Sequence, residues 1–125
     1  MIYGIGTDIT EVKRFKKWVE KDLVSRFFNK EEIIVCKSLQ SACEHFAARF
    51  AAKEAFSKAL GTGLTGFSLK DVYVVKDESG KPFLKLKDSA LELFKKRCGN
   101  AQIHLSLSHE KEYALAYVII EILGE

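Results

Sequence analysis

Cysteine, proline and charge of one sign are all scarce in this 125-residue chain, and each scarcity closes off a class of protein. The three cysteines, Cys36, Cys43 and Cys98, are odd in number and none stands in a CxxC pair, so neither a zinc site nor a disulfide framework is favoured. They read as the reduced thiols of a cytosolic protein. A single proline, with no internal repeat and no low-complexity stretch, leaves no linker, so one domain spanning 1–125 is expected. The longest apolar run, residues 113–120 and on past Glu121 to Leu123, is about half of the ~20 residues that cross a bilayer. The amino terminus lacks the basic and apolar regions of a signal peptide. A cytoplasmic location without membrane contact is therefore expected. A formal charge of +3 is too mild for a nucleic-acid binder, and no aromatic-plus-basic RNA pattern is present. Walker loop, Rossmann fingerprint and Ser-His-Asp order are missing too. The glycines near Gly61 follow a helix instead of opening one, the wrong geometry for cradling a phosphate.

What is present can build a core, since 47% of the residues are apolar and nine are Phe. Residues 2–5 read as a short strand broken by Gly4 and Gly6. Residues 10–21 read as a helix with Val12, Phe15 and Val19 at helical spacing, which puts Asp8 at a strand-to-helix junction. A helix over 30–39 precedes an alanine-rich one over 42–60, stopped by Gly61 and Gly63. Segments 72–75 and 83–86 flank hairpin chemistry at 78–82. Asp88 is expected to cap a helix that ends near Cys98, before Gly99. Ile103, Leu105 and Leu107 alternate with His104, Ser106 and Ser108 as a half-buried strand, and 113–123 forms the last strand. The expected class is α+β, an antiparallel sheet with helices packed on one side.

The chemistry concentrates in the alanine-rich helix. Ala48, Ala52, Ala55 and Ala59 share one narrow face, suited to close packing. Arg49, Lys53, Glu54, Ser57 and Lys58 occupy the opposite arc with Phe46 and Phe50 among them, which points to a cleft or interface lining. Glu54 and Lys58 also form a favourable i,i+4 pair, worth only ~0.2–0.5 kcal/mol. Asp8 and Glu11 have the spacing of a capping box. Alternatively, Asp8 and Glu54 supply the one or two carboxylates that magnesium takes, with substrate phosphate and water completing its octahedron. Arg49, Lys53 and Lys58 would then hold the remaining phosphate charge. His109 stands at a strand end, where functional groups are easily presented, whereas His45 and His104 read as structural. Lys81, in the Gly80-Lys81-Pro82 turn, serves either a ligand or solubility. Lys13, Arg14, Lys16, Lys17 and Lys21 form either a solvated helix face or a docking surface for an acidic partner.

Gly4-Ile-Gly-Thr-Asp-Ile-Thr-Glu11 with Arg14, then Arg49-Phe-Ala-Ala-Lys-Glu-Ala-Phe-Ser-Lys58 with Gly61-Thr-Gly63, then Ser106-Leu-Ser-His109, closely resembles the bacterial holo-acyl-carrier-protein synthases, a phosphopantetheinyl transferase family. The resemblance covers nearly the whole chain and includes the Gly80-Lys-Pro82 turn. It implies transfer of the 4′-phosphopantetheine arm of coenzyme A to a serine of apo-acyl carrier protein in fatty acid biosynthesis, releasing adenosine 3′,5′-bisphosphate. By the same resemblance Asp8 and Glu54 are the magnesium ligands and Lys58 neutralises charge as the serine oxygen attacks the β-phosphate. Either Glu54 or a water on the metal takes the serine proton. Arg49, Ser57, Ser108 and His109 are expected near the nucleotide phosphates, and Lys81 and Pro82 near the adenosine end. Arg14, Lys17 and Lys21, with Phe50, are expected to meet the acidic recognition helix of the carrier. The family implies a homotrimer with the active site between subunits. Glu110, directly after His109, departs from it by adding negative charge near the phosphates. A non-catalytic coenzyme A or carrier-binding module is the competing class, and the joint presence of Asp8, Glu54 and Lys58 argues against it.

Overall fold

The computed structural model describes residues 1–124, in the order β1 (Ile2–Glu11), α1 (Arg14–Glu20), α2 (Lys30–Ser38), α3 (Ala42–Leu60), β2 (Val72–Lys76), β3 (Pro82–Leu86), α4 (Asp88–Cys98), β4 (Ala101–His109) and β5 (Tyr113–Ile122). β1, β5 and β4 pair in that order as an antiparallel sheet, and β2 and β3 form a hairpin whose second strand lies against β4. The α+β class holds, with the strands divided between two antiparallel sheets.

The largest departure from expectation is β1, which runs on to Glu11 and carries Asp8 inside the strand. The alternation is there, but inverted in polarity: Gly6 and Thr10 are buried while Ile5 and Ile9 are 62% and 63% exposed. A strand whose inward residues are Gly, Gly, Asp and Thr gives no apolar period-two signal. α1 accordingly starts only at Arg14, and no side chain caps it, so the Asp8 to Glu11 capping box does not form. Asp88 does not act as a cap either. The carboxylate of Asp71 accepts the Ser89 backbone N–H and hydroxyl instead, satisfying the start of α4 from a distant turn.

α3 organises the rest. Its Ala51, Ala52, Ala55 and Ala59 sit in one apolar cluster with Val118 and Ile120 of β5, Val72 and Leu84 of the hairpin and Phe94 of α4. Its Phe46 and Phe50 sit in a second, with Phe15 of α1 and Phe28. Gly4 and Gly6 let β1 lie directly on this helix: a Cβ at Gly4 would stand 1.9 Å from the Ala59 carbonyl oxygen, and one at Gly6 the same distance from that of Ala55. Nothing larger fits. The opposite face of the three-stranded sheet is uncovered and apolar, with Ile5, Ile9, Tyr113 and Tyr117 exposed. No helix among the described residues is long and apolar enough to cross a membrane.

Candidate active site

The period of β1 delivers Asp8 to the helix. Gly4 and Gly6 meet Ala59 and Ala55, so Asp8, two residues further along the same face, comes alongside the outward flank of α3 where Glu54 and Lys58 stand. Lys58 Nζ donates to Asp8 Oδ1 at 3.2 Å and to the Thr7 carbonyl at 2.9 Å. Thr10 Oγ1 donates to the other Asp8 oxygen at 2.8 Å. Burial, and then the neighbouring charge of Asp8, push the Glu54 carboxyl above the usual carboxylate range; Lys58 and Arg14 pull the other way. Two carboxylates that repel each other, with an ammonium beside them, form a site that a divalent cation would relieve. Arg14 lies over the rings of Trp18 and Phe50, 5.1 and 5.6 Å from their centroids, at the edge of this acidic group.

A second group forms on the other flank of α3. Arg49 and Glu54 are five residues apart, about 140° around the helix. Arg49 lines a cavity of about 170 Å³ with His45, His109, Lys76, Gly80 and Pro82. His109 Nδ1 is 2.8 Å from Glu44 Oε1, and its ring is 5.1 Å from that of His45. Burial, and then the charge of Arg49, hold the His45 imidazole below its ordinary value, which disfavours its charged form in this cationic corner. The register explains the separation: Asp8 pairs with Ala116 and His109 with Ala114, which puts both on the helix side of the sheet but on its two edge strands.

A family model described as the 4′-phosphopantetheinyl transferase superfamily matches residues 4–118. The chain belongs to this superfamily. Among its relatives, the holo-[acyl-carrier-protein] synthase of Treponema denticola is 55% identical, over 97% of this chain and 99% of that one. Among solved structures, the holo-(acyl-carrier-protein) synthase of Bacillus anthracis in complex with CoA (3′,5′-ADP) superposes with a TM-score of 0.79 at 41% identity, covering 97% of each chain. The holo-[acyl-carrier-protein] synthase of Neisseria meningitidis gives 0.86 at 37% identity, over 97% of this chain and 99% of that one.

Against this family background several residues stand elsewhere than expected. Lys53 is no phosphate ligand: it is wholly buried, and its ammonium donates to Glu32 Oε1 at 2.9 Å, to the Leu69 carbonyl at 2.8 Å and to that of Val72. Phe50 does not form a docking surface; it is 7% exposed and packs against Phe15, Trp18 and Phe27, so its part is to support Arg14 from beneath. Phe46 is likewise core, which removes the reading of these two rings as an interface lining. Ser57 is buried and its hydroxyl donates to the Glu54 carbonyl at 2.7 Å, fixing the helix turn that carries Glu54. Ser108 pairs with Leu115 on the uncovered face of the sheet, away from His109. Lys81 is exposed in its turn while Pro82 lines the cavity. Lys17 and Lys21 are exposed on and just after α1. Glu110 turns its carboxylate onto the backbone N–H groups of Glu112 and Tyr113, so its charge serves the β4–β5 turn.

Thr10, Glu44 and Lys76 were not singled out from the sequence. Glu44 carries a faint signal, an acid in the first turn of α3, which the helix dipole favours anyway. Thr10 and Lys76 carry none: Thr10 reaches Asp8 along one face of a strand with no apolar period-two signal, and Lys76 joins the cavity only through tertiary packing.

Proposed function

We propose that this chain, as a single domain over 1–125, transfers the 4′-phosphopantetheine arm of coenzyme A to a serine of apo-acyl carrier protein, serving fatty acid biosynthesis in the cytoplasm. The observation that carries the reading is the Asp8, Glu54 and Lys58 group, in a chain 55% identical to a synthase of that name. Asp8 and Glu54 would hold magnesium, whose charge, shared with the coenzyme A pyrophosphate, would make the bisphosphate a better leaving group. Lys58 neutralises charge on the phosphoryl oxygens as the serine oxygen bonds to the β-phosphorus and the bond to adenosine 3′,5′-bisphosphate breaks, and either Glu54 or a water the metal would hold takes the serine proton. Arg49 and His109, with Pro82 beside them, receive the remaining phosphate and adenosine ends, and Ser57, Ser108 and Lys81 act at most from outside that contact. Arg14, with Lys17 and Lys21 behind it, receives the acidic carrier next to Glu54, so docking brings the serine to the acidic group.

The two groups lie on opposite flanks of α3, with the helix between them. This supports a site closed between copies, the acidic group of one facing the Arg49 cavity of the next. The uncovered face of Ile5, Ile9, Leu115 and Tyr117 offers the apolar surface such an assembly needs, and a closed ring of three is the arrangement we assign.

Intact-mass spectrometry of an apo-acyl carrier protein incubated with the protein, coenzyme A and magnesium tests the reaction. A gain of the phosphopantetheine mass, abolished by a chelator, is the expected outcome. No gain with several carriers and a folded protein would leave a binding module.

A further inference from the structure

The buried pair of Lys53 and Glu32 belongs to neither group, yet it stands directly behind one of them. All three ammonium hydrogens of Lys53 have acceptors, and the Phe28 ring lies 5.0 Å away. Glu32 Oε1 accepts from Lys53 and, at 3.1 Å, from the Asn29 backbone N–H. Its other oxygen, Oε2, is buried without a protein partner. Arg49, one turn before Lys53 on α3, is 4% exposed; its Nη1 reaches the His45 carbonyl at only 3.4 Å, and its Nε is buried without a partner as well. The unpaired acceptor and the unpaired donor belong to residues that line one cavity of about 300 Å³, with Tyr73, Val35 and Leu39. Arg49 also lines the smaller cavity with His109, so it forms the wall between the two. The Arg49 charge is among the influences that oppose the upward push of burial on the Glu32 carboxyl.

A buried ion pair is weak grounds for stability, because desolvation offsets most of its attraction. What distinguishes this one is the free oxygen. We infer that Glu32, anchored by Lys53, is a positioning residue for Arg49: Lys53 occupies one carboxylate oxygen, and the charge left on the other, across the cavity both residues line and without a direct hydrogen bond, draws the guanidinium inward and holds it in the wall of the smaller cavity. The inference rests on the reading of Arg49 as a phosphate-binding group. Lys53 thereby acts on the reaction from inside the core, at two removes from substrate.

The double variant Glu32→Gln, Lys53→Met removes both charges at nearly constant volume. Calorimetry with adenosine 3′,5′-bisphosphate is expected to show affinity weakened by about tenfold or more, as misplacement of a binding group does. The KM for coenzyme A rises with it, while kcat falls far less. The ¹⁵N-detected Nε–H signal of Arg49 is expected to shift and to exchange faster with solvent as the guanidinium leaves the cavity wall. Should the double variant fail to fold, Glu32→Asp retracts the carboxylate while keeping its charge, and the same weakening is expected. Unchanged affinity and an unchanged Nε–H signal in a folded variant would overturn the inference. Arg49→Ala serves as the control. If it weakens binding and the core variants do not, the positioning role alone falls; if it does not weaken binding, the assignment of Arg49 falls and takes this inference with it.

Discussion

Lys58 spans from α3 to the Thr7 carbonyl and the Asp8 carboxylate, so the ammonium that holds the strand to the helix is also the one the proposed reaction would use on a phosphoryl oxygen. Lys58→Ala should leave folding nearly intact, since a half-exposed pair contributes little to stability, and lower kcat by roughly 10²-fold, the usual effect of removing one charge-stabilising group. Stopped-time mass spectrometry of holo-carrier formation would show it; a raised KM with unchanged kcat would make Lys58 a binding group only. His45 supplies a pH prediction. Its imidazole is held below the ordinary value of about 6.5, so the unfolded chain takes up the proton first and stability is lost as pH falls below that value. Thermal melts between neutral and mildly acid pH should show this loss, and His45→Asn should reduce it; an equal slope in the variant would assign the loss to other groups. The residue types at this scale were legible in the sequence. Their partners were not: Glu32 and Lys53 are twenty-one positions apart and meet only because α2 packs on α3.

At the scale of elements, β1 against α3 sets the spacing of the acidic group. Gly6→Ala places a methyl 1.9 Å from the Ala55 carbonyl oxygen, and β1 must move outward. A loss of about 1–3 kcal/mol is expected in denaturant unfolding, typical of overpacking. Transfer activity should fall further than stability, because Asp8 moves with the strand; normal stability and rate in the Gly6→Ala variant would refute the close approach. α1 is the element proposed to dock the carrier. Its exposed Arg14 rests on Trp18 and Phe50 and lies near Glu54. Arg14→Glu is expected to raise the KM for carrier protein chiefly and to weaken its salt dependence, read from initial rates at two ionic strengths. An unchanged KM would move docking elsewhere. The bounds of α3 could be read from Ala42 and Gly61, since alanine content and a left-handed glycine stop are local properties. Those of β1 could not, because the apolar residues that mark a strand there face away from this chain's own core.

For the molecule as a whole, the uncovered sheet face and the proposed site between copies lead to two experiments. Ile9→Lys places a charge on that face and should reduce the particle mass in light scattering to that of one chain, with loss of transfer. Mixing Glu54→Gln and Arg49→Ala subunits, each inactive alone, should restore about a quarter of wild-type activity, because some heterologous interfaces then unite an intact Glu54 with an intact Arg49. No recovery on mixing would place the whole site within one chain. By itself the sequence determined α2, α3 and α4, the hairpin, the α+β class and the resemblance that named Asp8, Glu54 and Lys58, all of which rest on local periodicity and residue type. Only the tertiary structure decided that Lys53, Phe46, Phe50 and Ser57 are interior and that Ser108 turns away from His109. It also decided that the group of Asp8, Glu54 and Lys58 and the group of Arg49 and His109 stand on opposite flanks of one helix. The reason is physical: burial and facing depend on what packs from distant parts of the chain, and helical spacing alone cannot tell a wall of the core from a wall of the cleft.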